Sequence, residues 1–327
     1  MPANGSSPAM SLPRRSHPWS YDEAPLSPLK WLLLTPTFPL LLLLFLPRLM
    51  LLLACASLSS LVCIVGACSP KFISAMHVVI ARGAYLAFGV WPGLLSVSGK
   101  PDPMASTLVF APHTGLLDGV ALMYAAGCPR PIAIRAYGRN PLIAQLFRAV
   151  RGISVDLPTA SSTNLTISRN QVAPAEQHSS SSTATQAVRQ AIQKHKATFQ
   201  SGDKPLAIAP EGTTSNGNLL LGFFSGAFEG EAAVQPILLS YAFHHYNAAA
   251  FLTSLPTHMM RGLLTPWQRV RIEFLPPCTP SADETASSFA ERVRQSMACA
   301  GNLPLSDYDS RSLRKEAKAL HEARRAS

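Results

Sequence analysis

The sequence predicts an α/β domain, a largely parallel or mixed β-sheet flanked by helices, with an apolar helical segment in front of it. From Lys100 onward, strand-like and helix-like segments alternate along the chain, and such alternation is typical of α/β domains. The predicted strands are residues 107–111, 131–136, 152–157, 204–209, 234–241 and 269–274. The predicted helices are residues 116–126, 141–150, 183–199 and 283–299.

The apolar region near the N-terminus predicts a membrane anchor. The 327 residues are 47% hydrophobic and only 14% charged, whereas a typical soluble domain is roughly 25% charged. Residues 49–68 carry no charge and are long enough, as a helix, to cross a ~30 Å hydrocarbon core. A cleaved signal peptide fits poorly, because this region begins too late and is longer than an apolar signal core of about 7–15 residues.

The course of the chain before residue 49 has two alternatives. Residues 31–47 are also uncharged, but Pro36, Pro39 and Pro47 argue against one straight helix. Arg48 would cost roughly 2.5–3.5 kcal/mol at the bilayer centre, so we expect it at an interface. The segment is then either one spanning helix with an interfacial segment before it, or a hairpin that turns at Pro47-Arg48.

Composition divides the chain into four regions. Residues 1–30 form a flexible leader rich in Ser and Pro, and residues 31–98 form the anchoring region. Within the latter, the apolar stretch 76–97 is a helix that lies either on the membrane surface or against the domain. The α/β domain covers residues 99–303, with a mobile Ser/Thr-rich insertion at 159–185, and residues 304–327 form a basic tail that is either solvated or docked on acidic membrane.

The net charge of +10 indicates an anionic partner. No helix-turn-helix, zinc-finger or RNA-recognition pattern is present in the sequence, so we expect anionic lipid or a phosphorylated substrate and no nucleic acid. His244-His245 has no neighbouring metal-ligand pattern, and we expect no metal site.

His113 and Asp118 form the first candidate catalytic pair. The same spacing occurs at His17 and Asp22 in the leader, so spacing alone is weak evidence. His113, however, follows a predicted strand, and Asp118 lies in the first turn of a predicted helix. A carboxylate there can bind one ring nitrogen and fix the tautomer, which leaves the other nitrogen as a general base.

A second motif, Glu211-Gly-Thr-Thr-Ser-Asn-Gly217, follows another predicted strand. Gly212 permits a tight turn and close approach of a ligand to backbone N–H groups, and Thr213 supplies a hydroxyl donor. Glu211 could orient an acceptor hydroxyl or hold a nearby cation. If both strand ends lie at one edge of the sheet, the two motifs together suit acyl transfer.

The order of these motifs resembles that of the glycerolipid acyltransferases over about residues 30–310. Residues 111–118 resemble the first block of that family, in the form with Pro before His that is typical of the lysophosphatidylcholine acyltransferase branch. Residues 210–217 resemble the third block, 223–228 and 234–241 resemble the blocks that follow, and 303–308 resemble the end of the catalytic domain of that branch.

The resemblance implies a membrane enzyme that moves a fatty acyl group from acyl-CoA to the free hydroxyl of a lysophospholipid. It implies that His113 is the general base, that Asp118 orients it, and that Glu211, Gly212 and Thr213 bind the acceptor. No cofactor, metal or covalent intermediate is expected, and the endoplasmic reticulum or another endomembrane is the expected location. The alternatives are a lysophosphatidic acid acyltransferase and a noncatalytic lipid-binding protein on the same fold.

Two positions depart from the family pattern. The second block usually ends in Arg, where this sequence has Leu157, and the Lys expected in the fourth block is Phe224. A neighbouring arginine could replace a missing cation at the acceptor phosphate, and Arg139, just after a predicted strand, is the candidate. The headgroup and acyl-chain preference stay open from the sequence.

Overall fold

The computed structural model describes residue 18 and residues 37–65, 70–134, 152–155, 179–243, 255–313 and 315–316. In these parts of the chain the helices are α1 (Thr37–Val65), α2 (Pro70–Ala87), α3 (Leu116–Ala125), α4 (Ser179–Thr198), α5 (Leu255–Leu263) and α6 (Ala286–Gly301). The strands are β1 (Leu95–Ser98), β2 (Thr107–Ala111), β3 (Arg130–Ile134), β4 (Ile153–Val155), β5 (Leu206–Ile208), β6 (Val234–Phe243) and β7 (Gln268–Phe274). A 3₁₀-helix, Ser225–Phe228, lies between β5 and β6.

The strands form one seven-stranded mixed sheet in the order β1-β7-β6-β2-β5-β3-β4. Neighbouring strands are parallel except β6 and β7, which are antiparallel. Helices pack on both faces of the sheet. The predicted fold class, a mixed sheet flanked by helices, is therefore confirmed.

Strand β2 occupies the middle of the sheet and is buried along its whole length. Its side chains alternate between two cores, as the pleat requires. Leu108 and Phe110 join the core that includes residues of α2 and α3, whereas Val109 and Ala111 join the core that includes residues of α4 and α6. The end of β2 is thus held from both faces, which gives the residues that follow it a fixed starting point.

All six predicted strands are present, with differences of one or two residues at some ends. The sequence does not predict β1 or α5. Strand β1 is a short, largely exposed edge strand that pairs with β7, so it lacks the apolar alternation of a half-buried strand. Helix α5 has only nine residues and contains Pro256 and Gly262, the residue types with the lowest helix propensity.

Two further boundaries differ from the predicted ones. Helix α4 begins at Ser179 instead of residue 183, so residues 179–185 of the predicted mobile insertion are helical. The rest of that insertion, and the predicted helix 141–150, lie outside the described residues.

Helix α1 is continuous through Pro47, which corrects the expectation of a break there and excludes a hairpin turn at Pro47-Arg48. Pro36 lies outside the described residues, and Pro39 lies in the first turn of the helix, where a backbone N–H has no intrahelical partner in any case. Only Pro47 removes a hydrogen bond from the interior. Within α1, Leu42–Val62 spans 21 residues and could cross a membrane by length and composition.

Arg48 lies inside this apolar stretch, yet it is only 5% exposed. Its guanidinium donates hydrogen bonds to the carbonyl oxygens of Leu263 at 2.9 Å, Thr265 at 2.7 Å and Pro266 at 2.9 Å. The guanidinium carbon also lies 5.6 Å from the centre of the Trp91 ring. The charge is therefore stabilised by protein carbonyls and an aromatic face, an arrangement that the sequence does not predict.

Helix α2 packs against α1 and α3. Near its C-terminal end, Tyr85 belongs to the core of the α/β domain, and so does Phe88 just beyond it. Of the two arrangements open for the apolar stretch 76–97, the structure has the one packed on the domain. The helix itself runs from residue 70 to 87, and residues 95–98 are strand β1.

Both predicted terminal regions contribute residues that pack on the domain. Pro18, the one residue of the predicted leader that the structure describes, is buried, and its carbonyl accepts the N–H of Asn216 at 2.9 Å. In the predicted tail, Leu305 pairs with Leu220, and the buried Leu313 packs with Leu219 and Leu221. Residues 304–313 of the predicted tail are therefore part of the folded domain.

Candidate active site

The two motifs meet at one edge of the sheet. Strand β2 ends at Ala111 and β5 ends at Ile208, and these strands are parallel neighbours. His113 therefore follows one strand, and Glu211 follows the other, at the same carboxyl edge, which is where ligands bind in open α/β sheets.

His113 and Asp118 are in direct contact, with 2.6 Å between Nδ1 and Oδ2. The Asp118 carboxylate also accepts the backbone N–H groups of Thr114 at 2.7 Å and Gly115 at 3.0 Å, and the Thr114 hydroxyl at 2.9 Å. Asp118 is 1% exposed, whereas the His113 side chain is 27% exposed. The buried carboxylate is thus held by the loop before α3, and it fixes the ring of a histidine that solvent reaches.

The pKa values of this pair shift in opposite directions. Burial alone would lower the pKa of His113, but the hydrogen bond and the charge of Asp118, together with the charge of Glu211, raise it overall. Burial alone would raise the pKa of Asp118, yet His113, the Gly115 amide and the Tyr241 hydroxyl lower it overall. The pair therefore combines an ionised carboxylate with a histidine that is more basic than usual.

Glu211 links the two motifs. Its Oε2 accepts the backbone N–H of His113 at 2.6 Å, and its Oε1 accepts that of Leu221 at 2.8 Å. The side chain is 1% exposed, and burial raises its pKa to about 7 despite these two bonds. Since both carboxylate oxygens are bonded to the backbone, this geometry favours positioning of His113 over the acceptor contact that the sequence predicts.

The turn that follows Glu211 is tied to the first motif at two more points. The Ser215 N–H donates to the His113 carbonyl at 2.8 Å. Gly217 has φ +81°, and a Cβ there would lie 2.9 Å from Cγ2 of Thr114. The third sequence block is thus packed against the first by backbone hydrogen bonds and close van der Waals contact.

Gly212 has φ +65°, the left-handed conformation that glycine adopts without strain. Its N–H donates to the Ala209 carbonyl at 3.1 Å, within the turn itself. Thr213 follows and is half-buried. The Gly212 amide is therefore engaged within the turn.

Part of the chain is similar to a known protein family. The family model for acyltransferases, described as "Acyltransferase", matches residues 102–244. This segment is similar to acyltransferase domains. The match includes β2, the His113–Asp118 pair, and the Glu211 turn.

Several curated relatives of the acyltransferase domain align with much of the chain. Lysophosphatidylcholine acyltransferase 2 of Mus musculus is 29% identical over 236 residues, which are 70% of this chain and 38% of that protein. Lysophosphatidylcholine acyltransferase of Drosophila melanogaster is 31% identical over 210 residues, 62% of this chain and 34% of that protein. The chain thus spans less than two fifths of the length of these two relatives.

A solved structure is also similar to this chain. It is the 1-acyl-sn-glycerophosphate (LPA) acyltransferase, PlsC, from Thermotoga maritima, with a TM-score of 0.49 and 16% sequence identity. The similarity covers 78% of this chain and 97% of that chain.

Two residues near the pair are not identified from the sequence. Tyr241 extends β6 beyond the end of β2, and its hydroxyl interacts with Asp118. Tyr241 could have been identified from the sequence, because it places a hydroxyl group in a largely apolar strand. His258 on α5 accepts the N–H of Leu116 at 3.3 Å. No sequence pattern near His258 points to it.

The acceptor-binding predictions are only partly within the described residues. Arg139 and Leu157 lie outside them. Phe224 directly precedes the 3₁₀-helix, and its ring would lie 3.9 Å from a Cβ at Gly212. An aromatic ring therefore borders the turn at the position where the family pattern has a lysine.

Proposed function

We propose that the acyltransferase domain transfers a fatty acyl group from acyl-CoA to the free hydroxyl of a lysophospholipid. The observation that carries this proposal is the 2.6 Å contact between His113 and Asp118, placed beside the Glu211 turn at the carboxyl edge of the sheet. The similarity to lysophosphatidylcholine acyltransferases supports the substrate class.

In the proposed reaction, Nε2 of His113 takes the proton of the acceptor hydroxyl as its oxygen attacks the thioester carbonyl carbon. The C–S bond then breaks, and the departing CoA thiolate takes that proton from the His113 imidazolium, so that an ester, free CoA and neutral His113 are formed. Asp118 holds Nδ1 and stabilises the charged imidazole. Because a thioester is already activated, the scheme uses no covalent intermediate, cofactor or metal.

The remaining roles belong to the turn and its surroundings. Glu211 positions the backbone of His113, and Gly212 and Thr213 border the acceptor. Attack on the thioester carbonyl places a negative charge on its oxygen. Because the Gly212 amide is engaged within the turn, the N–H of the next residue, Thr213, is our candidate hydrogen-bond donor to this oxyanion. Arg139 is the candidate partner of an acceptor phosphate.

Membrane attachment through α1 fits this function, because both substrates carry acyl chains. Leu42–Val62 is apolar, and many of its side chains are exposed, for example Leu43 at 72%. We propose that α1 holds the domain at the endoplasmic reticulum or another endomembrane, where its partners are acyl-CoA, lysophospholipid and the bilayer.

Phe224 leaves two alternatives to the proposed function open. A ring beside Gly212, where a cation is expected, could reflect a different acceptor such as lysophosphatidic acid, or a lipid-binding domain without catalysis. One assay separates these possibilities: membranes that contain the protein are given radiolabelled acyl-CoA and a panel of lysolipids. We expect product with lysophospholipids; product with lysophosphatidic acid alone would favour the first alternative, and no product with any acceptor would favour the second.

A further inference from the structure

Helix α5 connects the apolar helix α1 to the His113–Asp118 pair. At its last residue and just beyond it, the carbonyl oxygens of Leu263, Thr265 and Pro266 accept the three hydrogen bonds of Arg48. The last carbonyls of a helix have no intrahelical partner, and a buried cation satisfies them well. Arg48 therefore fixes the end of α5 to the side of α1.

From the middle of the same helix, His258 reaches the start of α3. It is 6% exposed, and its Nε2 accepts the N–H of Leu116, the first residue of α3, at 3.3 Å. The first N–H groups of a helix lack intrahelical acceptors. Here Thr114 and Gly115 donate to Asp118, and Leu116 donates to His258.

Asp118 lies in this same first turn of α3. Its distance of 2.6 Å from His113 therefore depends on where the turn begins, and His258 holds the residue at which it begins. Asp118 cannot supply the acceptor for Leu116 as well without weakening its bonds to the preceding amides and to the imidazole. A separate acceptor on α5 removes that competition.

We propose that His258 is a positioning residue of the acyltransferase: through Leu116 it fixes the helix turn that carries Asp118, and Arg48 holds α5 in place for it. The proposal rests on the proposed function, in which His113 is the base. It assigns a role in the reaction to α5, and it couples the placement of α1 to the geometry of the pair.

The test compares two amides at position 258. In His258→Gln the side-chain oxygen reaches about as far as Nε2, so it can accept the Leu116 N–H. In His258→Asn the oxygen stops about one bond short. Removing the partner of a buried donor has a cost that corresponds to roughly 10-fold in rate. We therefore expect His258→Asn to lower kcat about 10-fold with little change in KM, and His258→Gln to stay within about 3-fold of the unaltered protein.

The pH profile of kcat shows whether the effect acts on the pair. A displaced Asp118 stabilises the His113 imidazolium less and so lowers the pKa of His113. The acid limb of the profile, where kcat falls with decreasing pH, should therefore move to lower pH in His258→Asn and stay in place in His258→Gln. Met260→Ala, at a 48% exposed position of the same helix, serves as the control and should match the unaltered protein. All variants are compared in membranes at equal amounts of folded protein, checked by thermal unfolding.

Equal kcat and acid limbs in His258→Asn and the unaltered protein would overturn the proposal. A loss of kcat with an unmoved acid limb, or an equal loss in His258→Gln, would also overturn it, because either shows a general packing role. If His258→Asn does not fold, a His258→Gln protein with normal kcat and acid limb supports the acceptor role, and one with a 10-fold loss contradicts it. Undiminished activity of His113→Ala would instead contradict the proposed function, so the two failures differ.

Discussion

At His113, one carboxylate holds the ring and a second holds the backbone. Asp118 bonds to Nδ1, and Glu211 bonds to the amide nitrogen of the same residue. This double attachment leaves Nε2 as the ring nitrogen for chemistry, and it explains why two motifs far apart in the sequence act at one place.

The first prediction concerns the pair itself. We expect His113→Ala and Asp118→Ala each to lower acyl transfer by about 10²–10⁴-fold, the usual contribution of general-base catalysis. Radiolabelled product formation in membranes is the measurement. His17→Ala, at the same spacing from an Asp in the leader, is the control and should keep its activity. Near-normal turnover of His113→Ala would contradict the role of this histidine.

The expected pH dependence of kcat follows from the raised pKa of His113. The base must be neutral, so kcat should fall as pH decreases through a raised pKa, that is, at a higher pH than the usual histidine value of about 6.5. Asp118→Asn removes the main group that raises the pKa of His113, while burial still lowers that pKa. The acid limb of this variant should therefore lie at lower pH, on a much lower kcat. An acid limb that stays in place would show that another group controls it.

Glu211 adds a pH dependence of stability near neutrality. The pKa of Glu211 is raised to about 7 in the folded protein. Its contribution to stability is therefore fully present when the pH is below the pKa that Glu211 has in the unfolded chain, and it is lost as the pH rises through about 7. Glu211→Gln cannot accept both backbone N–H groups, because only one of its two polar atoms is an acceptor. We expect it to be less stable than the unaltered protein at pH 6, with a smaller stability change between pH 6 and pH 8 in thermal unfolding. A steeper change would contradict this assignment.

At the scale of single elements, the turn that ends at Gly217 is closely packed against Thr114. Gly217→Ala places an L residue at φ +81° and brings a methyl group to 2.9 Å from Thr114, whose hydroxyl bonds to Asp118. Gly230→Ala, at φ +83° with nothing within 4 Å, has similar strain without the contact. We expect Gly230→Ala to lower the free energy of unfolding by about 1–2 kcal/mol, and Gly217→Ala to lower it further and to reduce kcat. Equal effects of the two variants would show that the Thr114 contact is unimportant.

The sequence predicts those elements whose signal is local. Strand β2 is predicted with its observed bounds, because a run of five apolar or β-branched residues between Ser106 and Pro112 can form a buried strand. The contact between His113 and Asp118 also follows from local order, since a loop and a single helical turn join them. The prediction fails at Pro47, because proline propensity alone ignores the leucine-rich helix on both sides and its packing on α2.

Other parts of the site depend on contacts that no local pattern contains. Arg48 donates hydrogen bonds to carbonyls more than two hundred residues away in the sequence. His258 accepts the N–H of Leu116 from helix α5, which helix propensity does not predict. Glu211 is predicted as a functional residue, but its partners are backbone N–H groups, which leave no mark in the sequence. Only the sheet order, which places β2 beside β5, reveals them.

For the whole molecule, the exposed apolar side chains of α1 predict stable membrane attachment. Leu42, Leu43 and Leu46 are each more than half exposed, and Arg48 is compensated within the protein. We expect the protein to stay in the membrane fraction through high salt and through carbonate extraction, measured by immunoblotting of the fractions. Release by carbonate would show peripheral attachment and contradict a spanning helix.

The last prediction separates attachment from activity by two N-terminal truncations. Deletion of residues 1–15 keeps Pro18, whereas deletion of residues 1–30 removes it, and both keep α1, which begins at Thr37. Pro18 accepts the N–H of Asn216, next to Ser215, which donates to the His113 carbonyl. A hydrogen bond of this kind stabilises by about 0.5–1.5 kcal/mol, so we expect a several-fold lower kcat only in the longer truncation. Both proteins should stay membrane-bound, because the anchor is intact. If the two truncations were equally active, the Pro18 contact would have no part in holding the turn, and the leader would be dispensable for catalysis as well as for attachment.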